Sequence, residues 1–313
     1  MLYPLKHKQQ GSAIIIALFV MSLVAVIAVT MLSRLHTDVQ RTHLILNADN
    51  ENLIAQGSIA WAVDTLITNW KKHQPNQLVD HMPIYSKKDV IQGVEIESAL
   101  YDAQGFFNVN NLSAEENQLG FVQLLKAVDP KIDIVLANNI AIATHDWVSP
   151  SEKKNQELDK YYLENKPSYS APHHLMASVS ELRLVKGMSA SLFFKLSPYI
   201  VALPINTKLN ITSASEITLM SLSSTLTLDA AKTIIHHRNE LPFTSVANFT
   251  EYEIVKNNSI TDKNNLTTLS NYFLLQTHIS VGQQKLMLYT LLLRNTNNEK
   301  PNVIVLWQTK GTL

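Results

Sequence analysis

Lys6-His-Lys-Gln-Gln-Gly11-Ser12-Ala-Ile-Ile-Ile16-Ala-Leu-Phe-Val-Met-Ser-Leu-Val-Ala-Val-Ile-Ala-Val-Thr-Met-Leu-Ser33 is the stretch that decides the fold. From Ser12 to Ser33 it carries no charge, no proline and no glycine. Such a run is long enough to cross a bilayer as a helix, the form in which a single segment satisfies its own backbone hydrogen bonds in lipid. Lys6 and Lys8 precede it, so the positive-inside rule puts the leader in the cytoplasm and the bulk of the chain on the far side.

An ordinary secretory signal has a shorter apolar region followed by a small-x-small cleavage site. Here the cleavable-looking position precedes the apolar run: basic residues, two glutamines, then Gly11 before Ser-Ala-Ile-Ile-Ile. This arrangement resembles a prepilin leader, which a membrane aspartyl peptidase cuts after the glycine before methylating the new amino terminus. The resemblance implies cleavage between Gly11 and Ser12 and N-methylation of Ser12. A plain signal anchor shares the charge pattern, so the separation rests on the residues beyond Ser33.

No proline occurs between Ser33 and Pro75, and Ile59, Val63, Leu66, Ile67 and Trp70 recur at helical spacing. A helix unbroken from Ser12 to Trp70 would be about 88 Å long. Val94, Ile96 and Leu100 then alternate with Glu95, Glu97 and Tyr101, predicting a half-buried strand. Phe107 and Val109 alternate with Asn108 and Asn110 in the same manner. Tyr272–Val281 and Lys285–Leu293 flank Gly282 as a hairpin, and Asn302–Trp307 supplies a last strand.

Between these strand signals the chain reads as mostly helical. Ser113 and Glu116 have capping-box spacing. Ser178-Val-Ser-Glu-Leu-Arg-Leu-Val-Lys-Gly187 predicts a helix stopped by glycine, with Ser189 capping the next one. A helical block between strands predicts an insertion into a sheet domain. Two stretches, one around Ser180–Gly187 and one from Asn210 to Phe243, have a helix-hairpin-helix look. The second has Leu222-Ser-Ser-Thr-Leu226 where a DNA-binding hairpin needs glycine.

Composition narrows the functional classes. The 313 residues hold 26 Lys+Arg and 26 Asp+Glu, which gives no electrostatic case for a nucleic-acid surface. There is no cysteine, so disulfides and thiolate chemistry are excluded. Glu115-Glu116 reads as a helix N-terminal acid pair. His173-His174 and His236-His237 are adjacent pairs whose members face different sides, so they read as solvated or capping histidines. No Ser–His–Asp set, P-loop or dinucleotide fingerprint is present, and an enzyme is not expected.

Several blocks together are similar to one family. These are Gln104-Gly-Phe-Phe-Asn-Val-Asn-Asn-Leu112, Asp146-Trp147, Ala177-Ser-Val-Ser-Glu-Leu-Arg-Leu-Val-Lys-Gly187, Pro198-Tyr199, Asn210-Ile-Thr-Ser-Ala214 and Val303-Ile-Val-Leu-Trp307. With the leader, the chain resembles the minor pseudopilin K (GspK) family of type II secretion systems over nearly its whole length. The resemblance implies an α+β, type IV pilin-like fold: a long N-terminal transmembrane helix packed on a small antiparallel sheet, with a large inserted helical domain. The expected division is leader 1–11, transmembrane half 12–33, pilin-like helix and first strands 34–111, helical insertion 112–255, and closing strands 256–313.

It also implies a non-enzymatic role at the pseudopilus tip. The implied partners are minor pseudopilins I, J and H, the major pseudopilin G, the prepilin peptidase and the inner-membrane assembly platform; no nucleic acid is expected. The implied location is the bacterial inner membrane, single-pass, with the bulk in the periplasm. Most pilins carry Glu as the fifth mature residue, to pair with the amine of the subunit above, whereas this chain has Ile16. A carboxylate at that depth costs about 2.5–3.5 kcal/mol on insertion scales, so its loss fits a subunit with nobody above it. The alternative reading is a minor pilin of a type IV pilus or DNA-uptake system, with hairpin helices touching DNA.

The resemblance further implies structural calcium in an acidic loop after Asp-Trp, with Asp146, Glu157 and Asp159 as ligands. The family's Gly-Ala-Glu-Asp run is replaced here by Asn155-Gln-Glu-Leu158, which removes one acid.

Overall fold

The computed structural model describes residues 12–72, 82–91, 94–150, 155–260, 263–281, 284–295 and 302–311. The elements in chain order begin with helix α1 (Ser12–Lys72) and strands β1 (Ile84–Tyr85), β2 (Asp89–Ile91), β3 (Val94–Asp102) and β4 (Phe107–Asn108). Helices α2 (Gln118–Val128), α3 (Ile134–Val148), α4 (Gln156–Glu164) and α5 (Ala190–Leu196) follow, then β5 (Ile200–Val201) and β6 (Leu209–Asn210). Next come α6 (Glu216–Met220), α7 (Leu228–Glu240), α8 (Val246–Glu251) and α9 (Glu253–Asn257). The chain closes with β7 (Leu266–Thr267), β8 (Tyr272–Val281), β9 (Gln284–Asn295) and β10 (Asn302–Lys310).

The chain forms two compact units, one ending at Gln56 and the other starting at Gly57, and α1 contributes to both. In the first, residues 13–42 form one helical stretch long and apolar enough to cross a membrane, and their side chains are exposed throughout. Its hydroxyls are satisfied within the helix: Ser22 donates to the Phe19 carbonyl at 2.7 Å and Thr30 to that of Ile27 at 2.8 Å. That local bonding is what allows Ser and Thr to sit in lipid.

In the second unit, the C-terminal part of α1 packs on an antiparallel sheet ordered β1-β3-β8-β9-β10, with β2 also pairing β3. Ala62 and Leu66 are fully buried against Leu100, Phe273, Leu275 and Leu292. The buried face is shifted from the one that spacing predicts. Ser58, Ala62 and Leu66 point inward, while Ile59, Val63, Ile67 and Trp70 are half-buried at its flanks. Small side chains let the helix approach the sheet, and the bulky neighbours wedge its edges. Arg294, buried in β9, donates to the Ser270 carbonyl at 2.9 Å and lies under the rings of Trp70 and Phe273.

The chain leaves this sheet at Asp102 and returns to it at Tyr272. The intervening segment builds two hydrophobic cores. One gathers Phe121, Ile140, Trp147, Tyr162 and Leu196; the other gathers Ile211, Leu219, Ala231, Phe243 and Phe249. Two short parallel pairings, Phe107 with Ile200 and Leu209 with Leu266, close the two lobes.

Three local readings differ from expectation. Phe107-Asn108 is a strand for only two residues, because the Asn108 side chain accepts from Asn110 N–H and turns Val109–Ser113 into a 3₁₀ helix. Ser113 and Glu116 form no capping box: the Ser113 hydroxyl instead bonds the Asn206 side chain, and α2 starts without a side-chain cap. Val179–Leu184 is a 3₁₀ helix, although its capping box, Ser178 with Glu181, does form. Gly187 at φ 89° then turns the chain where an added Cβ would lie 2.9 Å from Ile140.

The hairpin-like region of the second lobe bonds two of its hydroxyls to its own backbone. The Ser223 and Thr225 hydroxyls both donate to the Asn258 carbonyl, at 2.7 and 3.1 Å. Arg238 is buried and donates to the carbonyls of Ile211 and Ala214, both at 2.8 Å. These are the bonds of a packing module.

A buried polar cluster fastens the insertion to the sheet. The Asp102 carboxylate accepts from Gln104 N–H at 2.8 Å, Asn210 at 2.8 Å, Ser213 at 2.6 Å and Ser270 at 2.8 Å. Burial pushes its carboxyl up, and the four donors offset part of that rise. Asn110 is fully buried; it donates to the carbonyls of Met176 and Leu203 at 2.9 and 2.8 Å and accepts from Met176 N–H at 2.8 Å. Asn110→Ala should therefore lower unfolding stability by about 3 kcal/mol, because three buried backbone groups lose their partner. Gly105→Ala should destabilise as well, by about 1–3 kcal/mol, since its Cβ would lie 2.7 Å from Ser213 Oγ and 3.0 Å from the Ser213 carbonyl oxygen. Urea denaturation followed by tryptophan fluorescence checks both.

Candidate functional site

The site of interest lies at the C-terminal end of α3. Asp133 caps the start of that helix, its side chain accepting from Val135 and Leu136 N–H at 2.8 and 3.1 Å. The cap fixes the helix phase that carries Asp146 and Trp147 inward. Trp147 meets Tyr162 edge to face at 5.3 Å and donates its indole N–H to Glu181 at 3.2 Å. The other Glu181 oxygen accepts from Ala177 N–H at 2.8 Å. One carboxylate thus ties the Asp-Trp pair to the Ser178–Gly187 block, so both motifs belong to a single packing unit. Burial pushes the Tyr162 hydroxyl up to about 12.

Asn155 caps α4, accepting from Glu157 N–H at 3.0 Å, and places Asp159 in the first turn. Leu158 and Tyr162 face the core of the first lobe. Glu157, one of the three expected ligands, is exposed at the start of α4. The group that gathers is Asp146, Asp159 and His173, each offering one ligand atom, with all three atoms within 4.8 Å of one another. His173 stands at φ 50°, left-handed backbone for a non-glycine residue. Its Nε2 lies 2.9 Å from Asp159 Oδ1 and its Nδ1 lies 3.1 Å from the Asp146 carbonyl oxygen.

Asp146 is 3% exposed. One of its oxygens accepts from Asn155 N–H, while Oδ2 is buried with no hydrogen-bond partner among the described residues. Burial raises its pKa, partly opposed by the Asn155 bond and by His173.

Calcium takes six to eight hard oxygens. Among the described residues, this group supplies two carboxylates and an imidazole nitrogen. That donor set does not fit calcium.

His173 is where sequence reasoning misses a site residue. The solvated reading holds for His174, which is exposed, whereas the His173 side chain is only 10% exposed and joins the Asp159 carboxylate to the Asp146 backbone carbonyl. Its contact with Asp146 spans 27 residues of chain, so no local spacing announces it. His236 is exposed beside Glu240, and His237 stacks on Tyr252 at 4.3 Å. Of the expected processing positions, Gly11 lies outside the described residues, Ser12 is the first residue of α1, and Ile16 is 61% exposed on that helix.

Comparison with known proteins bears on the identity. Residues 105–205 match the family model described as type II secretion system (T2SS), protein K. The chain is 26% identical to the type II secretion system protein K of Klebsiella pneumoniae, over 78% of this chain and 80% of that protein. It is 24% identical to the protein of that name from Pseudomonas aeruginosa, over 94% of this chain and 92% of that one. In structure it is similar to a chain of the GspK–GspI–GspJ complex of the enterotoxigenic Escherichia coli type 2 secretion system, with TM-score 0.71 and 22% identity, covering 87% of this chain and 100% of that one. The structural likeness carries the fold: an apolar N-terminal helix, an antiparallel sheet and a largely helical insertion. In fold and in these sequence matches, the chain is similar to type II secretion system protein K over most of its length.

Proposed function

We propose that this minor pseudopilin forms the tip of the pseudopilus with minor pseudopilins I and J, starts its assembly, and so supports export of folded proteins through the outer-membrane secretin. The observation that carries the reading is Ile16 at the fifth position after the leader glycine. A filament subunit that stacks beneath another gains from an acid there, because the acid meets an amine; without that partner the acid only costs free energy in lipid. The inserted two-lobed segment between Asp102 and Tyr272 is bulk that would obstruct a subunit stacking above. The solved relative, which was crystallised with GspI and GspJ, supports the same pair as partners here.

The role is structural and non-enzymatic. Minor pseudopilin H, the major pseudopilin G and the assembly platform are the further partners of such a tip. The apolar run holds the chain in the inner membrane, with everything after it in the periplasm. Prepilin peptidase cuts after Gly11 and methylates Ser12.

Two measurements test this. Full-length chain extracted in detergent should co-purify with I and J as one complex, and deleting it should reduce exoprotein export; solitary elution together with unimpaired export would overturn the tip assignment. Gly11→Val should block processing, leaving Met1 as the amino terminus by N-terminal sequencing. Recovery of methylated Ser12 from the Gly11→Val chain would contradict the cleavage position.

A further inference from the structure

The donor set at the end of α3 departs from calcium in a definite chemical direction. We propose that Asp146, Asp159 and His173 form a site for a zinc-like divalent transition-metal ion, in the region where the family resemblance implies calcium.

The ligand chemistry is the first argument. Imidazole nitrogen is a poor donor to hard calcium but a standard one to zinc, which accepts two carboxylates, one histidine and a water in tetrahedral array. The orientation of the ring is the second. His173 Nδ1 lies 3.1 Å from the Asp146 carbonyl oxygen, so its N–H donates there and Nε2 is left facing the carboxylates. Metal-bound histidines are held in this way, the far ring nitrogen donating to a carbonyl that fixes the tautomer.

The third argument is the buried oxygen. Among the described residues, Asp146 Oδ2 has lost water and gained no hydrogen bond, a cost of about 1–3 kcal/mol that an unliganded packing role leaves uncompensated. The other oxygen of the same carboxylate is held by Asn155 N–H, so Oδ2 is presented in a set direction. Finally, His173 keeps a left-handed backbone that costs a non-glycine residue free energy. The fold maintains that conformation at the point where it delivers the imidazole.

The test uses full-length chain in detergent, stripped with EDTA and then given ZnCl₂ or CaCl₂. About one zinc per chain should survive desalting by elemental analysis and raise the melting temperature, whereas CaCl₂ should do neither. His173→Gln and Asp159→Asn should each weaken zinc retention more than about tenfold, the scale on which such sites respond to lost support. His174→Gln should leave it unchanged, because that side chain is exposed and turned to the Leu175 carbonyl. Should the ligand variants misfold, CoCl₂ added to the wild type supplies a second readout: visible absorption of tetrahedral strength, abolished by ZnCl₂ and untouched by CaCl₂. No zinc retention, displacement of zinc by equal CaCl₂, or equal loss in the His173 and His174 variants would each overturn the proposal and leave a plain histidine–aspartate contact.

Discussion

A sheet that admits a long insertion between two of its neighbouring strands must hold the two ends of that insertion together, and here a single buried carboxylate does so. β3 and β8 pair directly, from Val94 with Val281 to Asp102 with Phe273, yet the chain between them builds two further cores. Asp102 stands at the last rung. It gathers Asn210 and Ser213 from the second lobe and Ser270 from the returning strand. Gln104 adds a second tie, donating to the Lys208 carbonyl at 3.1 Å and accepting from Asn271 N–H at 2.7 Å. Asn108 and Asn110 extend the same fastening into the first lobe, binding backbone at Leu203, Ile205 and Met176. Buried amides need partners in fixed directions, so this cluster sets where both lobes stand in a way that apolar packing, which lacks direction, would not.

That arrangement explains which parts of the molecule are legible in the sequence. Periodic signals report on elements whose burial is one-sided and local: the long helix, β3, the β8–β9 hairpin and β10 all appear near their expected bounds. Phe107–Asn110 looks like a strand by alternation, but its asparagines are inside and bonded to distant backbone. Alternation cannot distinguish a solvated asparagine from one that caps its own turn. Ser113 misleads for the same reason, since its hydroxyl has a partner 93 residues away that outcompetes the local box. Spacing misplaces the inward face of α1 because it weights large residues, whereas close approach to a sheet favours Ala62.

The candidate site divides along the same line. Asp146 and Asp159 belong to the acidic loop that the resemblance singles out, and they do converge. His173 belongs to no pattern, because it arrives by tertiary contact on a strained backbone. Leu158 stands where the resemblance implies an acid. With a leucine there, that face of α4 joins the hydrophobic core alongside Tyr162, and the acids beside it are left one on each side, Asp159 turned in and Glu157 out.

The apolar helix and the inserted lobes, taken together, make one physical argument. Ile16 removes a charge that lipid penalises and that only a subunit above could neutralise. Two helical lobes on a polar fastening provide mass that is held to the sheet, because releasing them would cost the Asp102 carboxylate its bonds to Asn210 and Ser213 and Gln104 its bond to the Lys208 carbonyl. Under the proposed reading, a covered subunit would lack a pairing at Ile16 and would have to accommodate the two held lobes. Both features support the proposed place at the end of a filament, where no subunit stacks above.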